Sequence, residues 1–254
     1  MRSSLPNKRI GSRPPPLRSG GDSGAALAAA MEATRMNSAL HDAGETWDRI
    51  FTGRAAAMRE APPESDLSDI VDRLRTSPGV DVLDLGCGFG SWTITLARAG
   101  FRVVAVDVSP EAVGFVRRRA EREGLSVTTV VCAAQHLSSL GIQVDGIICN
   151  SVLDHMRPDD ADLAVVGMAS LLRPGGLAYV TFDGPDPDHA GSGCSADHLV
   201  HPDGTWEYLA GPRQGIMWRV YENSEIRHLF RRFEEVVFEA SVSGQRLAWF
   251  RQCG

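Results

Sequence analysis

The stretch from Val82 to Gly90 reads Val-Leu-Asp-Leu-Gly-Cys-Gly-Phe-Gly and sets glycines at 86, 88 and 90 directly after an apolar run. Between a strand and a helix, such glycines allow a tight turn and let a ligand approach bare backbone. A dinucleotide fingerprint would want a further glycine at Ser91 and an apolar residue where Asp84 stands. An acid two residues before the first glycine sits badly beside a pyrophosphate and well beside the ammonium of an amino-acid group. The next apolar run, Val103 to Val106, ends in Asp107. An acid there, about 20 residues past the glycine loop, is placed to accept hydrogen bonds from ribose hydroxyls. Further on, Cys194, His198 and His201 lack the tight ligand pairs of a structural zinc site, so no metal is expected.

These residues need rigid carriers, and the sequence supplies strands alternating with helices. Val80 to Leu85 is a short strand that runs into the glycine loop, and a helix over Trp92 to Ala99 follows. Phe101 to Val106 is a second strand. Ser109-Pro110-Glu111 opens the next helix with a capping hydroxyl and a proline at its first position. Val127 to Val131, Gly146 to Cys149 and Leu177 to Phe182 continue the strands, with a helix over Asp159 to Leu172 closed by Pro174-Gly175-Gly176. Apolar strands alternating with helices indicate a parallel sheet covered on both faces.

Ahead of this core, Ala25 to Leu40 favours helix, and Ser65-Asp66 opens another with Leu67, Ile70, Val71 and Leu74 on one face, so residues 25–78 read as a helical cap. Asp183 to Tyr221 is an insertion rich in Gly, Pro, His and Trp, read as a loop that covers the active site. Glu222 to Arg232 as a helix, then Glu234 to Ser241 and Leu247 to Arg251 as strands, complete one domain over residues 25–254. Met1 to Gly24 is Arg-, Pro- and Ser-rich with no acid before Asp22, and reads as a disordered tail. Its Pro14-Pro15-Pro16 run spoils the amphipathic helix of an organellar transit peptide.

Taken together, the Val82–Gly90 loop, Val104-Ala-Val-Asp107 and Leu171-Leu-Arg-Pro-Gly-Gly176 resemble the signatures of the class I S-adenosylmethionine-dependent methyltransferases over about Val80 to Phe182. The resemblance implies a Rossmann-like α/β fold: a seven-stranded, mostly parallel sheet with an antiparallel last strand, helices on both faces, and the cofactor across the carboxyl ends of the first strands. It implies that Gly86 and Gly88, with Cys87 between them, line the methionyl part, that Asp84 orients that end, and that Asp107 with Val108 holds the ribose. Where the family has an acid for the adenine amino group, this chain runs Cys132-Ala-Ala-Gln-His-Leu137. Ala134 backbone or Gln135 takes that role instead. The segment Trp47-Asp-Arg-Ile-Phe51 resembles one whose aromatic residues close over the cofactor; the alternative is that Trp47 and Phe51 staple a helix to the core.

Asn150 to Met156 follows the fourth strand, where the resemblance puts the transferred methyl, with Asn150 against the cofactor. The segment lacks the Asn/Asp-Pro-Pro-Tyr signature used for planar amide or base nitrogens. Asp154 and His155 are the candidates for catalysis, since an imidazole with an ordinary pKa near about 6.5 suits a base at neutral pH. The other reading of His155 is a helix-start histidine bonded to backbone. In the insertion, Trp206, Tyr208, Arg213 and Trp218 are the expected acceptor-binding residues, aromatic walls with a cation for a carboxylate.

Composition narrows the class. A net charge of −6 argues against a nucleic-acid partner, and no apolar run reaches a membrane span. Five cysteines without paired spacing fit a reducing compartment, so the chain is expected in the cytoplasm, with a homodimer left open. The expected partner is a small-molecule methyl acceptor. Three rival readings share parts of the pattern: an RNA or protein methyltransferase, an NAD(P)-dependent oxidoreductase, and a binding module without catalysis.

Overall fold

The computed structural model describes residues 39–55, 67–184, 198–242 and 244–254. The tail at 1–24, the expected helix up to residue 38, and residues 185–197 of the insertion lie outside the described residues. Helix α1 (Ala39–Ala55) and the shorter α2 (Ser68–Leu74) precede strand β1 (Asp81–Leu85). There follow α3 (Ser91–Arg98), β2 (Arg102–Asp107), α4 (Pro110–Glu123), β3 (Val127–Val131), a 3-10 turn (Ala134–Leu140) and β4 (Val144–Asn150). A second 3-10 turn (Leu153–His155) leads to α5 (Pro158–Leu171) and β5 (Leu172–Phe182). After the insertion come α6 (Asn223–Leu229), and the last two strands of the chain, Phe233–Ala240 and Arg246–Gln252.

The main sheet has seven strands in the order β3-β2-β1-β4-β5, then Arg246–Gln252, then Phe233–Ala240 at the edge. The first five are parallel, and the closing strand runs antiparallel to both its neighbours. This is the expected Rossmann-like sheet. Successive residues of a strand face opposite sides, and the core divides accordingly. Leu83 and Leu85 of β1, Ile147 of β4, Val180 of β5 and Phe250 pack with α5, α6 and the first 3-10 turn. Val82, Ile148, Tyr179 and Trp249 pack on the other face with α2 and α3.

Local chemistry sets the helix ends as read. Ser109 accepts from Ala112 N at the start of α4, with Pro110 at the first position, and α4 ends at Gly124 in the left-handed region. Helix α6 is shorter than expected and starts with a reciprocal capping box between Glu222 and Glu225.

Two elements were not anticipated. α1 runs through Trp47 and Phe51 as one helix. The insertion is no structureless loop in its described part: β6 (His198–Val200), β7 (Trp206–Tyr208) and β8 (Met217–Trp218) form a small antiparallel sheet, with a 3-10 turn at Gly211–Arg213. The two closing strands of the chain are therefore β9 (Phe233–Ala240) and β10 (Arg246–Gln252). No described helix is long and apolar enough to cross a membrane.

Phe250 is 1% exposed and stacks on Phe230 at 4.2 Å with the rings 2° from parallel, tying β10 to the end of α6. Phe250→Ala should cost about 3–5 kcal/mol through lost burial and the cavity left behind. Urea denaturation measures this, and a loss under about 1 kcal/mol would mean the core collapses into the gap.

Candidate active site

The site begins where β1 ends. Gly86, Gly88 and Gly90 take φ of 70°, 50° and 77°, a region that side chains disfavour. Gly86 N and Cys87 N donate to Val106 O at 2.8 and 3.0 Å. Gly88 N donates to Asp107 Oδ2 and Ser109 N to Asp107 Oδ1, each at 2.9 Å. The loop is thus stitched to the end of β2. A Cβ on Gly86 would lie 2.4 Å from Val152 Cγ2, so this position has no room for a side chain.

The loop forms one wall of a cleft of about 770 Å3, counted with its open mouth. Of the residues expected at the cofactor, Trp47, Gly86, Asp107, Val108, Ala134 and Gln135 line it, and so does His155. Asp84 does not. Its carboxylate is buried behind the loop, where Thr93 Oγ1 donates to it at 2.5 Å. Cys87 packs away from the cleft against Ala105 and Val116. Gly88 turns its α-carbon toward Phe51, and Asn150 Oδ1 is engaged by Thr181 Oγ1 at 2.9 Å. Phe51 completes the lid side, while Cys132 and Ala133 extend the wall beside Ala134. These residues fit an adenosyl amino acid. The Asp107 carboxylate already accepts backbone N–H groups on both oxygens, and its four lone-pair sites leave room for a further donor such as a ribose hydroxyl.

Sequence reasoning passed over Ser151, Val152 and Met156, which also line the cleft. Their signal was position alone, directly after a central strand. Ser151 has a φ of 50°, the one positive value among described non-glycine residues. Its Oγ donates to Asp183 Oδ1 at 2.8 Å. Asp154 is fully buried; its Oδ2 accepts from Asp183 N at 3.0 Å, and its Oδ1 has no partner. Asp154, His155 and Asp183 bring ligating atoms within 4.8 Å of one another. Hydrogen bonds engage Asp183 Oδ1, His155 Nδ1 and Asp154 Oδ2 and leave Asp154 Oδ1 without a partner.

His155 Nδ1 lies 2.8 Å from Met217 O. A carbonyl oxygen only accepts, so Nδ1 carries a proton, and in the neutral imidazole the lone pair is then on Nε2. The Trp47 and Trp218 rings flank the imidazole at 5.2 and 5.4 Å, both steeply inclined to it. Trp218 is the expected acceptor-side residue that reaches this centre. Tyr208 is buried against Ile50 and Ile216, with Arg213 Nη1 donating to its hydroxyl at 3.1 Å. Trp206 stacks on His198 at 5.0 Å. All four expected acceptor-side residues, Trp218 included, stand outside the cleft lining, and Trp218 meets the site through the lining residue His155.

Burial governs the charges. Asp84 is pushed up to about 6, first by desolvation, against the Thr93 hydrogen bond that lowers it. Asp107 and Asp154 are raised as well, again chiefly by burial. An acid with a raised folded pKa holds its proton on folding, so this contribution is full at low pH and is lost as pH rises from about 4 to about 6. Asp84→Asn should therefore be more stable than the parent near pH 7 and level with it near pH 4. Urea midpoints of the cofactor-free protein at both pH values test this, and an equal offset at both would point to another cause.

Comparisons with known proteins agree with this geometry. Residues 82–176 match the family described as "Methyltransferase domain". The ubiquinone biosynthesis O-methyltransferase of Methylocella silvestris is 31% identical over 186 residues, 70% of each chain. That of Aeromonas salmonicida is 32% identical over 146 residues, 57% of this chain and 59% of its own length. Two solved structures share the fold. The CcbJ methyltransferase of Streptomyces caelestis superposes with a TM-score of 0.64 at 16% identity, over 82% of this chain and 98% of that one. The 1,6-didemethyltoxoflavin-N1-methyltransferase of Burkholderia thailandensis, with bound S-adenosylhomocysteine, gives 0.57 at 22% identity over 95% and 93%. The chain belongs to the S-adenosylmethionine-dependent methyltransferases and transfers the cofactor's methyl group to a small-molecule acceptor.

Proposed function

We propose that the acceptor is a neutral, planar phenol methylated on oxygen, with His155 Nε2 taking the hydroxyl proton. The observation that carries this reading is the tautomer of His155, set by Met217 O, on a ring flanked by Trp47 and Trp218 at the cleft. Phenols need that help, because their hydroxyl is a weak nucleophile until the proton leaves. The related proteins named for O-methylation support oxygen as the acceptor atom.

The cleft's described lining carries no lysine or arginine and is otherwise mostly apolar, which favours an uncharged acceptor over a phosphate or carboxylate. Asp107 and the Gly86–Gly90 backbone would hold the cofactor, whose sulfonium supplies a methyl group that needs no activation by the protein. The chain's own contribution is to hold the acceptor oxygen in line at near-attack distance, exclude water and receive the proton. Asp154 and His155 bring side-chain atoms within 4.8 Å of one another, so an ionised carboxylate there would stabilise the imidazolium as it forms. Trp218 backs the His155 ring and so steadies it toward the acceptor, while Trp206, Tyr208 and Arg213 would serve by holding the small sheet together.

His155→Ala should lower kcat toward a phenol by about 100-fold or more while S-adenosylhomocysteine affinity stays within a few-fold. S-adenosylhomocysteine release across a panel of phenols, anilines and thiols measures this. Turnover confined to anilines or thiols, or a phenol turned over equally by the variant, would overturn the reading.

A further inference from the structure

Helix α1 supplies Trp47 and Phe51 to the cleft, yet it stands apart from the two main clusters of the core. Its buried residue Ile50 packs with Tyr208 and Ile216 of the insertion in a separate small cluster. Between those two aromatic residues sits Asp48. One oxygen of its carboxylate, Oδ1, accepts from Ser109 Oγ at 2.7 Å and from Glu111 N at 2.8 Å. Both donors lie at the start of α4, where unpaired amides and the helix dipole favour an anion.

Ser109 faces two carboxylates. Its hydroxyl donates to Asp48, and its backbone N–H donates to Asp107 Oδ1 at 2.9 Å. Its hydroxyl oxygen also accepts from Ala112 N at 3.1 Å, so a buried side chain with no freedom to turn joins the covering helix to the ribose-facing acid. The charge of Asp48 is also among the influences that raise Asp107. We infer that Asp48 is a positioning residue that fixes α1 over the bound cofactor, acting through Ser109 on the same turn that presents Asp107. This rests on the reading of Asp107 as the ribose acceptor.

If so, losing Asp48 frees the aromatic cover while leaving the glycine loop and Asp107 in place. Asp48→Ala should weaken S-adenosylhomocysteine binding by about 10-fold or more, mostly through faster dissociation, since two charge-assisted bonds hold the cover. Asp48→Asn keeps an oxygen able to accept both bonds and should restore affinity to within about 3-fold. A purely structural role would lower the melting temperature of both variants without this split. Asp107→Ala is the control: if it too binds normally, the ribose reading fails; if it alone is weakened, the Asp48 inference fails. Hydrogen exchange on the unaltered protein adds a test that no folding defect can obscure. S-adenosylhomocysteine should slow exchange over residues 44–51 as well as over 86–90, and unchanged exchange over 44–51 would overturn the inference.

Discussion

The Asp107 carboxylate is the point on which the site depends. It ends β2, and its two oxygens accept the amides of Gly88 and Ser109. One acid thereby fixes a glycine loop that would otherwise have many conformations and sets the first turn of α4. Burial raises its pKa, and those amide bonds work against the rise. The balance keeps an acceptor facing the cleft at the carboxyl edge of the sheet, where open α/β folds bind their ligands. The loop needs this support because its glycines gain nothing from side-chain packing and lose the most backbone entropy on ordering.

Around that centre the molecule divides into a body and a cover. The body is the seven-stranded sheet, whose central strands β1, β2 and β4 are buried on both faces while the edge strands β3 and β9 are more exposed. The cover is α1 with the small sheet β6–β8, which share the cluster of Ile50, Tyr208 and Ile216. Thr46 presses on Gly215, and Arg49 donates to Gln214 O, so the two parts meet through close polar and backbone contact as well. Arg219 N to Asp154 O, Arg157 to Asp203 and His155 to Met217 O join the small sheet to the loop after β4. The contact that sets the tautomer of His155 is therefore also one that docks the cover.

Much of the body was legible in the sequence because its signals are local and repeated. Apolar runs of strand length, a proline at the start of α4 and glycines at fixed offsets each have one physical reading, and Val127–Val131 is found with the bounds expected. The cover was not legible. β6, β7 and β8 have two or three residues each, too short for alternation to register. Tyr208 and Arg213 looked like acceptor contacts because aromatic and cationic residues line many pockets; here they bond to each other, with the guanidinium over the tyrosine ring at 5.6 Å, and neither lines the cleft. Trp47 and Phe51 were noticed as a pair, but only tertiary contact decides between cover and staple. Both line the cleft and both pack on neighbouring rings, Trp47 on His155 and Phe51 edge-to-face on Phe89 at 4.9 Å.

This division separates the two demands on such an enzyme. Binding one invariant cofactor calls for fixed geometry, and on the proposed reading it falls mainly to backbone groups and an acid locked by the sheet. Choosing an acceptor calls for change, and on the same reading it falls to a cover whose own cluster is small. Substitutions there disturb few contacts of the main core, so their cost in stability is limited. The exception is His155, which belongs to the body by sequence but takes its protonation pattern from Met217 in the cover. If His155 is the base proposed above, a change in the small sheet that moves Met217 would alter the proton acceptor itself, which would tie selectivity and turnover together at one hydrogen bond.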